Sequence, residues 1–296
     1  MDGLLIVDKP QGLSSAEVVR IVKRRLRCKT GHLGTLDPFA SGVLPLCLGE
    51  GTKVAQFLNT ADKEYTGIIR LGSATDTGDP TGVVTETAAV PELSANQLAE
   101  TAQRFLGEQL QTPPMYSALK QAGVPLYKLA RQGIVVERAA RPVRIDRLVL
   151  RLCAAGEIDF SVSCSKGTYV RVLAQEIATS LGSVGHLEAL RRTRFGPFGV
   201  EEALPLEDLE RASISVLDLR ASLRALREIP LDAPAAARAR RGYEPILSHM
   251  AAGPRGEVAK LIGPNGDLIA VIVMERAGWR FVRVFAEPRV GSAVTS

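Results

Sequence analysis

Short apolar runs, separated by turns rich in Gly and Pro and by amphipathic segments, constrain the fold of this chain more than any other feature. The strands and helices that they predict do not alternate as in a regular βαβ repeat, and several of the turns are typical of hairpins. The pattern predicts an α+β sheet protein. The predicted strands of this sheet are 3–7, 43–48, 65–71, 143–152, 158–165 and, as a strand or an edge, 186–192.

Amphipathic segments between these strands predict helices. Ser14 and Glu17 have the spacing of a capping box and precede a helix with one apolar face and a basic outer surface. Ser94 and Gln97 form a second such pair, and residues 168–181 are the third predicted helix. The sequence therefore predicts helices that pack one face against a sheet.

A change of composition after residue 227 predicts a domain junction. The preceding segment, 205–227, has a helical pattern, and a stretch rich in Pro, Ala and Arg follows it. Three short apolar runs then alternate with turns, at 257–262, 268–274 and 279–285. We predict a first domain over 1–230 and a small β domain over 238–296.

The charges of the chain are unevenly distributed. Lys and Arg number 37 against 32 Asp and Glu, a net charge of +5 over 296 residues. Residues 18–36 hold six basic residues and no acid, residues 120–151 hold eight basic residues and two acids, and residues 61–110 hold eight acids and three basic residues. This pattern suits a surface that meets phosphates, but solvated helix faces explain it equally well.

Several classes of site are excluded by the composition. The four Cys residues never approach a C-x-x-C spacing and the three His residues are far apart, which argues against zinc sites, redox dithiols and a disulfide framework. No stretch reaches the ~18 apolar residues of a membrane span, and no signal peptide is present, so we expect a cytoplasmic protein outside the membrane. Nucleotide and metal motifs are also absent. Any chemistry must come from ordinary side chains.

The most unusual segment is the Gly-rich loop 30–42. Within it, Asp37 precedes Pro38 and is flanked by the apolar residues Leu36 and Phe39. An acid in this setting suits a fixed carboxylate in a partly dry pocket. The alternative is a turn residue that only organises the loop.

The segment Gly31-His-Leu-Gly-Thr-Leu-Asp-Pro-Phe-Ala-Ser-Gly-Val-Leu44 closely resembles the signature of the TruB family of pseudouridine synthases, which make pseudouridine at position 55 in the T loop of tRNA. Further motifs of the family are matched in the same order over about residues 3–200. They are Lys9-Pro10 with Gly12 and Ser14-Ser15, Lys63-Glu64-Tyr65 with Leu71-Gly72 and Thr75-Asp76-Thr77, Cys164 to Arg171, and Gly185 to Leu187 with Leu190 to Arg192.

The resemblance implies a pseudouridine synthase fold, with a mostly antiparallel mixed sheet flanked by helices. It also implies an isomerase that needs neither cofactor nor metal. Asp37 matches the family's nucleophile, although the atom that it attacks stays open. Arg171 matches its partner, and contact with a phosphate is the alternative. Tyr65 matches the residue that stacks on the flipped uracil and takes part in removing the C5 proton; otherwise it is a core residue.

The resemblance also implies four substrate-binding residues. Tyr169 and Leu190 match residues that line the pocket, and core packing is the alternative for Leu190. His32 is expected to contact the nucleotide extruded from the T loop. Lys9 is expected to support the loop or contact a phosphate.

The implied partner is tRNA, bound through its T arm with the target base flipped out. The two basic segments would contact its backbone, and the C-terminal module resembles a PUA-type RNA-binding domain in position and strand content. No membrane, metal or obligatory protein partner is expected. Two alternatives are an RNA-binding chaperone that helps tRNA to fold, and an enzyme of the same fold that modifies a different RNA or position.

Overall fold

In the part of the chain that the structure describes, the strands form one large sheet, a small C-terminal sheet and two short two-stranded sheets. The structure is a computed structural model, and it describes residues 1–211 and 214–287. Its strands are β1 (Gly3–Lys9), β2 (Thr30–His32), β3 (Ser41–Leu48), β4 (Lys63–Leu71), β5 (Ser73–Thr75), β6 (Val84–Thr87), β7 (Gly107–Gln111), β8 (Lys120–Gln121), β9 (Val124–Pro125), β10 (Arg141–Ala154), β11 (Glu157–Cys164), β12 (Gly185–Phe195), β13 (Phe198–Gly199), β14 (Leu204–Pro205), β15 (Arg227–Pro230), β16 (Val258–Ile262), β17 (Leu268–Glu275) and β18 (Gly278–Val284).

Helices connect these strands and cover the sheets. The α-helices are α1 (Ser15–Leu26), α2 (Ala55–Leu58), α3 (Ala95–Arg104), α4 (Leu126–Ala130), α5 (Val170–Ser180), α6 (Leu219–Ser222) and α7 (Ala233–Arg240). Short 3₁₀ helices occupy Gly49–Lys53, Val200–Glu202, Leu206–Glu210 and Glu244–His249.

The large sheet confirms the predicted mixed and mostly antiparallel topology. Its strand order is β14-β1-β3-β12-β4-β11-β10-β7, with β2 beside β3 and β13 beside β12. The pairs β1–β14 and β3–β12 are parallel, and the neighbouring pairs of β4, β10 and β11 are antiparallel. Strand β12 lies between β3 and β4, and so joins the part of the sheet formed by β1 and β3 to the part formed by β4, β7, β10 and β11.

Strand β1 shows that both faces of the sheet are buried. Leu5 and Val7 belong to a core that includes helices α1, α3 and α5. Leu4 and Ile6 belong to a second core, which includes residues of the small C-terminal sheet. Because successive side chains of a strand point to opposite faces, a strand buried on both faces needs a continuous apolar run. The run at residues 3–7 is of this kind.

The two predicted capping boxes are confirmed. Ser14 Oγ accepts a hydrogen bond from the Glu17 N–H at 3.2 Å, and Glu17 Oε2 accepts one from the Ser14 N–H at 2.8 Å. Ser94 and Gln97 make the same reciprocal pair at the start of α3. These side chains satisfy backbone N–H groups that have no partner within the helix.

The prediction of a helix over 205–227 is wrong. Among its described residues, the segment has only the 3₁₀ helix Leu206–Glu210 and the four-residue α6; residues 212 and 213 lie outside the described structure. Leu217 instead lies beside β1, where its N–H donates to Leu4 O at 2.9 Å and its carbonyl accepts from the Leu4 N–H at 2.8 Å. Backbone pairing with β1 therefore overrides the local helical pattern.

The small sheet, with strand order β15-β16-β17-β18, confirms the predicted C-terminal β module. Its last three strands match the predicted apolar runs. Arg227–Pro230, which the sequence prediction assigned to the first domain of 1–230, pairs in parallel with β16, so the small sheet begins before the predicted boundary. Residues 288–296 of the predicted second domain, 238–296, lie outside the described structure.

Candidate active site

The loop between β2 and β3 carries Asp37, and contacts on both sides hold its backbone in place. Ser15, at the start of α1, donates through Oγ to Leu36 O at 3.0 Å and accepts from the Leu36 N–H at 2.9 Å. Gly34 has φ +60°, and a Cβ there would lie 2.7 Å from the Phe195 ring. Only glycine fits at this position, and the close approach lets the loop pack against the end of β12.

Lys9 lies beneath this loop and is completely buried. Its Nζ donates to Pro10 O at 2.8 Å, to Leu13 O at 2.6 Å and to Pro38 O at 3.4 Å. Burial lowers its pKa to about 8, against the opposing effect of Asp37. The sequence left open whether Lys9 contacts a phosphate or supports the loop. The enclosed ammonium group, which is bonded to backbone carbonyls, fits the role of supporting the loop.

Asp37 and Arg171 make a forked ion pair. Arg171 Nε lies 3.0 Å from Asp37 Oδ2, and Arg171 Nη2 donates to Asp37 Oδ1 at 3.4 Å. Arg171 is 5% exposed, whereas the Asp37 side chain is 35% exposed. Two contacts between planar groups fix orientation as well as charge. The carboxylate is thus held from one side and open on the other.

The remaining donors of Arg171 are also occupied. Its Nη1 donates to Thr77 O and its Nη2 to Tyr116 O, both at 2.7 Å. A second carboxylate, Asp79 Oδ2, lies 3.8 Å from Nη1. The guanidinium group is therefore fixed by two backbone carbonyls and lies between two acids.

Asp79 is itself held by the turn that follows β5. Its Oδ1 accepts hydrogen bonds from Thr77 Oγ1 at 2.8 Å, from the Thr81 N–H at 3.0 Å and from Thr81 Oγ1 at 2.6 Å. The polar sequence of this segment is typical of a turn in which an Asp side chain accepts a backbone hydrogen bond. The sequence does not show the contact of Asp79 with Arg171.

The environment of Asp37 acts on its ionisation in two directions. Burial by the surrounding loop raises the pKa of Asp37, and Asp79 adds to the rise, while Arg171 and Lys9 oppose it. The exposed third of the side chain limits the effect of burial. We conclude that the pKa of Asp37 lies above that of a free aspartate, and that Arg171 is the main group that favours its charged form.

Tyr65 and Leu190 lie on the neighbouring strands β4 and β12, and both are buried in the same core. Tyr65 is the register partner of Arg192, and Gly67 is that of Leu190. A Cβ on Gly67 would lie 2.9 Å from the Phe160 ring, so β4 passes close to its neighbours at this point. Burial raises the pKa of Tyr65, and the positive charge of Arg192 opposes the rise.

Tyr169 immediately precedes α5, two residues before Arg171. Its backbone N–H donates to Gln111 Oε1 at 2.7 Å, which ties the start of the helix to β7. Burial raises the pKa of the Tyr169 phenol, and Asp37 contributes to the rise. Asp37 has the same effect on Tyr65. Asp37, Arg171, Tyr65 and Tyr169 are therefore brought into one electrostatic site.

His32 lies at the end of β2, on the approach to the loop. Its Nε2 is 3.1 Å from Thr35 Oγ1, and burial lowers its pKa, with a further contribution from Arg192. The lowered pKa favours a neutral imidazole at neutral pH. The contact itself stays a prediction.

Sequence reasoning missed Asp79 and Arg192 as site residues. Arg192 was part of a matched motif, and Asp79 lay just beyond another, but neither carried a predicted role. The contact of Asp79 with Arg171 and the contacts of Arg192 join residues that are distant in sequence. Arg192, for example, donates to Val43 O and Gly34 O, each at 2.7 Å.

Other features of the described residues bear on what this site can be. Residues 1–211 and 214–287 contain no group of three or more His, Cys, Asp or Glu side chains placed to hold a metal ion. In the same residues, no helix has the length and apolar character needed to cross a membrane. A cavity of about 1140 Å³ lies between the segment 49–53 and the small sheet, and Asp37 does not line it.

Comparison with protein families shows to which family the chain belongs. Residues 20–170 match the N-terminal domain of the TruB family of pseudouridylate synthases. The chain belongs to the TruB family. Residues 171–232 match the C-terminal domain of tRNA pseudouridylate synthase B. The first of these matches contains Asp37 and Tyr65, and the second contains Arg171 and Leu190.

Curated relatives support the same family. The chain is 48% identical over 260 residues to tRNA pseudouridine synthase B of Burkholderia mallei, with 86% of each chain covered. It is 49% identical over 216 residues to tRNA pseudouridine synthase B of Psychrobacter cryohalolentis, covering 71% of this TruB-family chain. The match spans only 60% of the Psychrobacter protein's length.

Solved structures support the fold. A Cbf5-Nop10-Gar1 complex contains a chain with a TM-score of 0.70 and 26% identity, over 92% of this chain and 78% of that one. An H/ACA RNP bound to a substrate RNA containing 2'-deoxyuridine contains one with a TM-score of 0.72 and 23% identity, over 97% of this chain and 86% of that one. The predicted pseudouridine synthase fold with a small C-terminal β domain is confirmed.

Proposed function

We propose that this TruB-family protein isomerises uridine to pseudouridine at position 55 in the T loop of tRNA, acting on a flipped-out base and without a cofactor. The observation that carries the proposal is the forked pair of Asp37 with Arg171, in which one side of the carboxylate is open. The names of the curated relatives support tRNA as the substrate.

In the proposed reaction Asp37 is the nucleophile. Isomerisation requires the bond between N1 and the sugar to break, the uracil to turn, and a new bond to form through C5. A carboxylate can assist by forming a transient covalent bond to the substrate. Arg171 holds Asp37 in one orientation and favours the ionised form that attacks.

The other side chains of the site would bind the base. Tyr65 stacks on the uracil and takes part in removing the C5 proton, while Tyr169 and Leu190 line the pocket. His32 contacts the extruded nucleotide. Extrusion costs a few kcal/mol, which the new stacking and hydrogen bonds must offset. Lys9 acts from below by positioning the loop of Asp37.

The T arm would be bound through its phosphates, and the surface of α1 supports this part of the proposal. The basic residues of 18–36 are exposed, and they are Arg20, Lys23, Arg24, Arg25, Arg27 and Lys29. In the segment 120–151, seven of the eight basic residues are exposed. Contacts with phosphates position an RNA by its shape, whereas the pocket selects the base.

The small C-terminal sheet is proposed to be a PUA-like module that adds RNA contacts. Its strand β18 carries exposed Arg280 and Arg283, of which Arg280 pairs with Glu275 at 2.8 Å. We propose that tRNA is the one partner required for turnover, so that the isolated chain is active without a second protein.

The decisive experiment measures pseudouridine formation on a T-arm stem-loop by the purified chain and by Asp37→Asn. We expect product with the wild type, and a rate at least about 10³-fold lower with Asp37→Asn, because the amide is a poor nucleophile. Asp159→Asn, a change of the same kind at an exposed position of β11, should keep the wild-type rate.

The same assay separates the two alternatives. A wild-type protein that binds the stem-loop but makes no product would support a chaperone and contradict the enzyme. A tRNA with its T-loop target uridine replaced, but still modified as fully as the normal substrate, would show that the enzyme acts at a different position.

A further inference from the structure

Arg192 is an unusually placed cation. It is 1% exposed, and its Nε and Nη2 donate to Val43 O and Gly34 O. Among residues 1–211 and 214–287, no carboxylate makes an ion pair with it within 4.0 Å. Its strand neighbours differ, since Arg191 pairs with Asp8 at 2.6 Å and Arg194 approaches Glu64 at 3.7 Å. A buried charge without a counter-charge is costly and calls for a reason.

The acidic group beside Arg192 is the phenol of Tyr65. The two residues are direct partners across β4 and β12. Tyr65 is the group whose charge favours the ionised form of Arg192, and the Phe195 ring lies 5.3 Å from the guanidinium carbon. The guanidinium group thus has an aromatic ring and two backbone carbonyls as its contacts, and Tyr65 is its neighbour across the strand pair.

We propose that Arg192 is a positioning residue that acts through Tyr65: its buried guanidinium group stabilises the phenolate form of Tyr65 and so makes that oxygen able to accept the C5 proton. The proposal rests on the proposed function of the site. In this proposal Arg192 favours the ionised form of Tyr65, as Arg171 favours the ionised form of Asp37.

The proposed proton transfer takes place after the new bond between C5 and the sugar has formed, when C5 still carries its hydrogen. The C5–H bond breaks, its electron pair enters the ring, and the proton passes to the phenolate oxygen of Tyr65, which becomes a phenol. N1, released from the sugar, takes up a proton from water, and Tyr65 later returns its proton to solvent.

The direction of the electrostatic effects supports this role. The pKa of Tyr65 is raised overall because burial disfavours the phenolate, and the charge of Arg192 is the largest effect that opposes this rise. The hydrogen bond from Arg192 to Gly34 O joins the same guanidinium group to the loop that carries Asp37. One buried cation thus links the residue that removes the proton to the loop of the nucleophile.

The test begins with the ionisation of Tyr65, which needs no activity. Absorbance titration of tyrosinate in the wild type, with Tyr65→Phe subtracted, isolates this residue among the five tyrosines of the chain. Arg192→Gln and Arg192→Met remove the charge, and whichever of them folds should raise the pKa of Tyr65 by at least about one unit, equivalent to a tenfold loss of phenolate at neutral pH. An unchanged Tyr65 titration overturns the proposal, whether or not the protein makes pseudouridine.

The second measurement is the single-turnover rate on the T-arm stem-loop as a function of pH. We expect Arg192→Gln to be slower by about tenfold or more at neutral pH, to recover part of its rate as the pH rises, and to keep its RNA affinity. In a Tyr65→Phe background the same change should have little further effect, because the two residues act as a unit. Independent, multiplying losses would show that Arg192 serves only the packing of the loop.

Two further variants complete the design. Arg192→Lys keeps the charge and should keep a Tyr65 pKa close to that of the wild type, even where the loss of the hydrogen bonds to Val43 and Gly34 lowers the rate. Arg194→Gln, at an exposed position of the same strand, should leave the pH profile unchanged. A shift of equal size in Arg192→Lys or Arg194→Gln would contradict a specific electrostatic effect of Arg192.

Discussion

Arg171 and Arg192 are both buried, but their surroundings differ. Arg171 lies between the carboxylates of Asp37 and Asp79, whereas Arg192 donates to backbone carbonyls and lies opposite Tyr65 on the neighbouring strand. The first arrangement places a cation between two carboxylates. The second places a cation beside a phenol, which is neutral unless it loses a proton. The same side chain therefore has carboxylate neighbours in one place and a phenol neighbour in the other.

Among the changes that test this comparison, Arg171→Lys is expected to have the largest effect on the rate. An ammonium group cannot reproduce the forked contact with Asp37 or reach the carbonyls of Thr77 and Tyr116 together. We expect the single-turnover rate on a T-arm stem-loop to fall by about 10²-fold, with RNA affinity nearly unchanged. Filter binding and rate measurements on the same preparation check this. A large loss of affinity with normal turnover would instead place Arg171 in contact with RNA.

A smaller effect is expected in the acid limb of the pH profile. Ionised Asp37 is the reactive form, so the rate should fall as the pH drops through its pKa, which burial raises above the value of about 3.9 for a free aspartate. Arg171 lowers this pKa, and Arg171→Gln should therefore move the acid limb to higher pH. Rates at saturating RNA from pH 4 to pH 8, with circular dichroism as a check on folding, test the direction. A limb that moves to lower pH would contradict the assignment of Asp37.

The smallest expected effect concerns arginines that are exposed. Arg24→Gln with Arg25→Gln removes two charges from the surface of α1 without touching either buried guanidinium group. We expect tRNA affinity to fall several-fold at low salt, the salt dependence of binding to become less steep, and the single-turnover rate at saturation to stay the same. Binding measured at several salt concentrations checks this. A lower rate even at saturating tRNA would contradict the proposal that the exposed arginines only bind RNA while the buried ones act on the reaction.

Much of the fold followed from local patterns because their causes are local. The capping boxes at Ser14 and Ser94 start helices wherever the chain places them, and the apolar run at 3–7 predicts a strand. The segment 205–227 was misread because its pattern suits a helix, while its structure depends on pairing with β1, about 200 residues away in sequence. The same holds for Arg227–Pro230, which joins the small sheet through β16.

The candidate site divides in the same way. Asp37, Tyr65 and Arg171 were chosen because they occupy matched motifs, and the structure brings them into one site. Sequence reasoning gave no role to Asp79 and Arg192, because their roles depend on which ionisable groups lie near them in the folded chain. Lys9 was chosen from its motif, but only its burial shows that it holds the loop from below.

The sequence by itself determined the family, the order of the main elements and the residues that carry the proposed chemistry, since motifs and periodicity are properties of short segments. Only the tertiary structure decided which charges face each other. The pair of Asp37 and Arg171 joins residues 134 positions apart, and the contact of Arg192 with Gly34 joins residues 158 apart. The strength of a charge depends on distance and burial, and both are set only when the sheet has closed around it.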